Sequence, residues 1–414
     1  MLFRYVVPLV LFSLQFFLYR RAIRWVKAVF PDRRGAVILV RSLFVLFNLG
    51  TVGALVFRPQ LNDLPGWFMA AGVYPYFVWQ GATFFIALVF LAAFLLASPW
   101  KILVRSLRAF RSSRTLVERV AAKPAVRTFD ASRRAFIRRS AEGLAVASFA
   151  GSAYGMTAGR ENVQLTEEEF AIPGLDPSLD GFTIALASDI HSGPYMSRQE
   201  MKEYVARINA LGAEAIVVTG DFVNGRVREV YPFAEAFAEL RAPHGVYGVM
   251  GNHDFYAENP DLVARTVDDC GVKLLRNDHV MLGRNGASFA LLGVDDIGRS
   301  PSGPVNIDAA LKGVRSGAPR VLLCHRPYYL QQAADAGIDL VLSGHTHGGQ
   351  VVLAQFGGLV LAPAALASRF VEGTYRQGGT AMYVSRGIGT VGLPIRLNCP
   401  PEITKIVLRS APAA

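Results

Sequence analysis

From residue 182 onward, one short apolar run after another ends in a residue that can bind a metal. The run 182–188 leads into Asp189 and His191, and 215–220 into Asp221. The run 246–250 leads into Asn252 and His253, 321–324 into His325, and 340–343 into His345 and His347. Each run has the length and apolar character of a buried strand. A chain that places its ligands at the carboxyl ends of successive strands has few folds open to it. The strands must lie side by side, so that the ligands meet at one edge of an open sheet. Asp189 and His191 stand two apart, so an extended strand end puts them on one face, and the same holds for His345 and His347. Glycines at 220, 251, 344, 348 and 349 permit sharp turns and close backbone approach. Five of the seven histidines of the chain stand in these blocks. Asp, Asn and His offer oxygen and nitrogen ligands suited to two divalent metal ions held side by side.

The intervening sequence predicts an α/β domain over 180–414. Met201, Val205 and Ile208 recur at helical spacing within 198–210, and 231–240, 261–270 and 328–336 are further helices. Strands are also expected at 289–294, 351–353, 382–385 and 403–408. Helices thin out toward the end, which predicts a two-sheet β-sandwich flanked by helices.

The first third reads differently. Residues 1–141 hold 21 Lys+Arg against 4 Asp+Glu, a balance of +17, while the rest holds 22 against 28, a balance of −6. The basic excess therefore belongs to one region interleaved with apolar runs, which indicates membrane flanks rather than nucleic-acid binding. Apolar stretches predict transmembrane spans at 1–19 and 36–57, with Arg41 one turn inside the second. The uncharged stretch 64–100 is divided by Pro75 into an interfacial helix at 67–74 and a third span at 77–98. Residues 1–100 thus form a helical membrane region and 101–141 a basic linker. A fourth apolar span is expected at 142–159 and a linker at 160–179. The loops 20–34 and 101–139 are basic, whereas 58–63 is nearly neutral. The positive-inside rule places both basic loops in the cytoplasm, and four spans then put the α/β domain outside. Reading 64–100 as two short spans inverts it. Ser132–Arg138 resembles a twin-arginine export signal: two arginines, a Phe two places on, then a weakly apolar segment. Cys270, Cys324 and Cys399 form no CxxC pair and read either as buried small hydrophobes or as one bridge involving Cys399 with one thiol left over.

The blocks SDIHSG, TGDFVNG, GNHD, CHRP and SGHTHGGQ, in that order, resemble the calcineurin-like metallophosphoesterase superfamily, whose pattern is D-x-H, GD, GNH[D/E], a lone H and GHxH. The resemblance covers about 182–408. SGHTHGGQ and SRGIGTVGLPIRLNCPPE look more like its membrane-anchored or twin-arginine-exported bacterial branch, some of whose members act on UDP-diacylglucosamine-type lipids. The resemblance implies a four-layer metallophosphatase-like fold and a hydrolase acting on a phosphomonoester or phosphodiester, possibly lipid-linked, through a metal-bridging hydroxide. It implies one metal on Asp189, His191 and His347, another on Asn252, His325 and His345, and Asp221 between them. His253 would donate a proton or hydrogen bond to the scissile phosphate, with Asp254 orienting His253. The implied location is a bacterial cytoplasmic membrane, multi-pass, with the catalytic domain on the outer side.

Weaker signals remain. Arg326, Arg386 and Arg396 lie in or near the blocks and suit either a phosphate contact or a surface salt bridge. Arg386 is the preferred substrate contact, because Gly387-Ile388-Gly389 follows it. Asp295 and Asp296 end a strand and read as supporting residues, and His244 and His279 as packing residues. Ser188 and Cys324 are not needed as nucleophiles if metal-activated water attacks. Two other readings use the same residues: a non-catalytic membrane-anchored binding module, and a transport function of the helices. The near absence of charge inside the spans speaks against the second.

Overall fold

The computed structural model describes residues 3–57, 64–296, 305–356 and 359–412. The chain forms two compact units, Met1–Met156 and Thr157–Ala414.

The first unit is helical: Phe3–Val29, Arg34–Phe57, Tyr74–Ala109, Arg111–Ala122 and Pro124–Met156, with a short turn and π-helical stretch at Gly66–Val73. Among the described residues two helical segments are long and apolar enough to cross a membrane, Arg34–Gly53 and Met69–Leu95. The spans expected at 1–19 and 142–159 are not among them. Phe3–Val29 runs on through Arg20, Arg21, Arg24 and Lys27. The 142–159 stretch is the small-residue-rich end of a helix that starts within the expected basic linker. Pro75 does not divide 64–100 as expected. It falls in the first turn of Tyr74–Ala109, where no intrahelical N–H bond is needed, so the helix runs on unbroken. The 58–63 loop lies outside the described residues, as do the side chains of Arg133, Arg134 and Arg138. A buried polar cluster ties three helices together. Gln15 Nε2 donates to Gln80 Oε1 (3.1 Å) and Thr83 Oγ1 (2.7 Å), and Gln80 Nε2 donates to Thr51 Oγ1 (3.1 Å). Interhelical bonds of this kind hold helices where apolar surroundings supply no hydrophobic drive.

The second unit holds two six-stranded sheets. The first runs Gln164–Pro173, Glu402–Ala411, Phe182–Ala187, Ala215–Val218, Val246–Gly248, Lys273–Leu274. The second runs Gly373–Gln377, Thr380–Val384, Leu340–Ser343, Arg320–Leu323, Ala287–Gly293, Asp278–Arg284. Both are parallel at their centres. Strand alternation builds the layers. Phe182, Ile184 and Leu186 face Phe289, Leu291, Leu323 and Leu342 between the sheets. Ala185 and Ala187 face outward under the helices Arg198–Ala210, Val230–Phe237 and Pro260–Asp269. Ile307, Ala310, Leu330 and Ala333 cover the other side of the second sheet. The result is the expected four-layer sandwich. Local signals set its helices: Ser197 accepts from Glu200 N (3.2 Å) and Glu200 from Ser197 N (2.8 Å), a reciprocal cap at the start of Arg198–Ala210.

Two expectations change. The stretch 160–179 is not a free linker, because Gln164–Pro173 pairs in parallel with Glu402–Ala411 along its whole length. Its exposed glutamates meet cations on that neighbour: Glu167 with Lys405 (3.1 Å) and Glu169 with Arg409 (2.5 Å). The domain therefore starts well before residue 180. The strand expected at 351–353 is only an isolated bridge between Val351 and Leu397.

Candidate metal centre

The parallel strands of both sheets end at one edge, and the blocks converge there. Asp189, His191 and His347 bring ligand atoms within 4.8 Å of one another, as do His191, Asp221 and His253, and Asp221, His325 and His345. His191 Nε2 faces His347 Nε2 at 3.1 Å, and His347 Nε2 lies 3.5 Å from Asp189 Oδ1. Asp221 Oδ2 stands between the groups, 3.5 Å from His191 Nε2 and 3.3 Å from His325 Nε2. Asn252 joins the second group, its Oδ1 lying 3.2 Å from His325 Nε2.

The backbone that presents these atoms is unusual. Asp189 (φ 52°), His191 (49°), Asp221 (55°), His345 (74°) and His347 (52°) all lie in the left-handed region. Non-glycine residues sit there only when the surrounding structure holds them. The holding bonds are specific. His345 N donates to Asp189 Oδ2 (3.0 Å), Ser188 Oγ donates to the same oxygen (2.6 Å), and His253 N donates to Asp221 Oδ1 (2.8 Å). Two glycines make the approach possible. A Cβ at Gly344 would sit 1.9 Å from Ser188 Oγ, and one at Gly251 would sit 2.2 Å from Asp221 Oδ1.

Burial pushes His191, His345 and His347 down to about 3, so these imidazoles are neutral. Burial also lowers His325, but the adjoining Asp221 carboxylate outweighs it and lifts His325 to about 10. Burial raises Asp221, yet His325 and His191 hold it well below the usual carboxylate range. His325 Nδ1 donates to Thr219 O (2.7 Å), which directs Nε2 toward Asp221 and Asn252. Three neutral imidazoles, the His325 ring held on the Asp221 carboxylate, and carboxylate oxygens converge here in a largely buried site, a donor set that a divalent cation satisfies. The residues present therefore fit a metal. The Nδ1 atoms of His191 and His347 are buried without a hydrogen-bond partner.

His253 is half-buried. Its Nδ1 donates to Asn224 O (2.9 Å), and its ring centroid lies 4.7 Å from that of His191. Asp254 does not touch that ring, contrary to expectation. Its carboxylate accepts from Gly251 N (2.8 Å) and Val223 N (3.0 Å), tying the GNHD turn to the GD loop. Burial and the Asp221 charge push Asp254 up to about 8. Arg386 is corrected as well. It is bound to Glu402 and to Gln164 Oε1 (2.9 Å), so its charge is used within the fold. Arg326 pairs with Asp296 (3.2 Å) and Asp295 with Arg276 (3.1 Å). Arg396 is neither a phosphate contact nor a surface pair, being fully buried. His244 packs on Phe182, with ring centroids 5.3 Å apart. All three cysteines are free; Cys324 and Cys399 are buried and Cys270 is half-buried. Sequence reasoning missed the supporting roles of Ser188 Oγ and of the Thr219 and Asn224 carbonyls. A backbone carbonyl carries no sequence signal, and Ser188 was weighed only as a nucleophile. Tyr256 and Tyr328, partly exposed beside His253 and His345 (5.6 and 5.7 Å between centroids), were also missed.

A family model described as calcineurin-like phosphoesterase matches residues 182–349. The Bacillus subtilis metallophosphoesterase YkuE is 30% identical over 287 residues, covering 67% of this chain and 98% of that protein. The chain belongs to the calcineurin-like phosphoesterases. Its second unit is a metallophosphoesterase domain, in a family of metal-dependent hydrolases. A Danio rerio protein named "Transmembrane protein with metallophosphoesterase domain" is 32% identical over 268 residues, 62% of this chain and 60% of that protein. The Bos taurus protein of the same name is 31% identical over 261 residues, 60% of this chain and 57% of that protein. The match thus spans less than two thirds of these two relatives. With both animal and bacterial proteins among them, the likeness to a bacterial branch rests on the motif blocks alone.

Proposed function

We propose that the chain hydrolyses a phosphoester with two divalent metal ions. The observation that carries this reading is the position of Asp221, whose one carboxylate oxygen faces His191 on one side and His325 on the other. In this reading Asp189, His191 and His347 would hold one ion, Asn252, His325 and His345 would hold the second, and Asp221 would serve both. Bound divalent ions lower the pKa of water and neutralise charge on phosphate oxygens. The protein's own part is orientation and proton supply. His253 is anchored through Nδ1–H to Asn224 O, which leaves Nε2 toward the site, where the imidazolium form would give its Nε2 proton to the leaving oxygen. Asp254 positions His253 through the backbone.

The two apolar helices support membrane anchorage. Both basic flanks then lie in the cytoplasm, and a two-span hairpin returns the chain to that side. In this two-span reading the phosphoesterase domain would lie on the cytoplasmic face, whereas four spans and an export signal would put it outside. A substrate borne by the membrane, such as a phospholipid or a lipid-linked sugar phosphate, fits a domain tethered there.

The test is a titration of chelator-stripped full-length protein with Mn²⁺, followed by turnover of an aryl phosphate. Turnover should be absent without metal and reach its plateau near two equivalents. Full turnover in metal-free protein would overturn the reading.

A further inference from the structure

Arg396 is the largest fully buried side chain in the described structure, with 0% exposure. A buried guanidinium ordinarily needs a carboxylate. Arg396 instead donates to four backbone carbonyls. Nε donates to Gly389 O (3.1 Å) and Nη1 to Cys399 O (3.2 Å). Nη2 donates to Arg386 O (2.9 Å), Gly387 O (3.0 Å) and Gly389 O (2.6 Å).

What those carbonyls carry gives the arrangement its meaning. The Gly387–Gly389 turn donates back to the first metal loop, Ile388 N to Ser188 O (2.9 Å) and Gly389 N to Asp189 O (2.7 Å). The turn also presses on that loop, since a Cβ at Gly387 would sit 2.8 Å from Asp189 Cβ. On the other side Cys399, whose carbonyl Arg396 holds, donates its thiol to His347 O (3.2 Å) and Gly348 O (3.3 Å). Arg396 therefore reaches Asp189 through one backbone link and His347 through another. Both residues belong to the same group of ligands, both have left-handed backbones, and such backbones persist only where the surroundings over-determine them. No comparable contact runs from Arg396 to Asn252, His325 or His345 among the described residues.

We infer that Arg396 is a positioning residue for one metal of the pair, the ion held by Asp189, His191 and His347. It acts as a buried clamp that fixes the strained backbones of two of its three ligands. The inference rests on the two-metal reading. Lysine cannot replace it: an ammonium is a point donor with three N–H groups, whereas the guanidinium fork reaches several carbonyls at fixed angles.

The experiment compares full-length wild type, Arg396→Lys and Arg386→Gln. The last removes a neighbouring guanidinium that is bound to Glu402 and Gln164, while glutamine keeps the Cβ and Cγ that lie against Gly348. Mn²⁺ affinity at each of the two sites is read by calorimetry and by the electron paramagnetic resonance signal of a coupled ion pair. Folding is read by circular dichroism. Arg396→Lys should keep one site near its wild-type affinity and weaken the other at least tenfold, with loss of the coupled-pair signal. Arg386→Gln should keep both. Equal weakening of the two sites, or unchanged affinities in a folded Arg396→Lys, would overturn the inference. So would collapse of the whole fold in Arg396→Lys, because Arg396 would then serve the sandwich rather than the site. A wild type that binds fewer than two ions would instead count against the two-metal reading itself.

Discussion

At the scale of single residues, the site holds its backbone in conformations that cost energy. Five of the seven residues assigned as metal ligands have φ between 49° and 74°. A left-handed L-residue costs roughly 1–2 kcal/mol, somewhat less for Asp and Asn, whose short polar side chains bond locally. The sandwich supplies the offset through bonds such as His345 N to Asp189 and His253 N to Asp221. The identity and order of the ligand types were legible in the sequence because the chemistry restricts them to Asp, Asn and His at strand ends. Their backbone geometry was not, since Asp, Asn and His adopt a positive φ more readily than other side chains yet only in a minority of positions. Asp254 acts on His253 by a different route, through the turn and not through the ring, for a related reason. It adjoins His253 in sequence, but Asn252–Tyr256 is a helical turn, and there successive side chains point apart. Arg386 and Arg396 look alike in sequence, and only burial separates a surface-edge ion pair from an internal clamp.

At the scale of elements, the strands that carry ligands were the easiest to read, being short, apolar and bounded by glycine. The edge strand Gln164–Pro173 was the hardest. Three successive glutamates mask its alternation, in which Phe170 and Ile172 face the core while Glu167 and Glu169 face the cations of its neighbour. This strand covers one side of Glu402–Ala411, which otherwise presents a long unpaired edge. Phe170 and Ile172 also bury apolar surface worth about 1.5–3 kcal/mol each. A fragment of residues 157–414 should therefore fold and remain monomeric. A fragment of residues 180–414 should aggregate or unfold at markedly lower urea. Sedimentation velocity with urea denaturation checks this, and equal behaviour of the two fragments would show that the first strand is dispensable.

At the scale of the whole molecule, a helical unit with two membrane-length segments is joined to a phosphoesterase domain. If the helices serve to bring the domain to its substrate, their effect depends on where the substrate is. The full chain in liposomes should hydrolyse a lipid-borne phosphate ester faster than the 157–414 fragment does, by tenfold or more, because tethering raises the effective concentration. The two should differ little on a soluble aryl phosphate. Equal rates on the lipid ester would favour a soluble substrate. The central claim concerns one carboxylate shared by two ions and one histidine that binds neither. It is tested most directly by counting metal in two purified full-length variants beside their turnover. Asp221→Asn should lose metal from both sites along with activity, whereas His253→Ala should retain two ions per chain and lose turnover by roughly 10²–10⁴-fold. Equal metal loss in the two variants, or two ions retained in Asp221→Asn, would contradict the account.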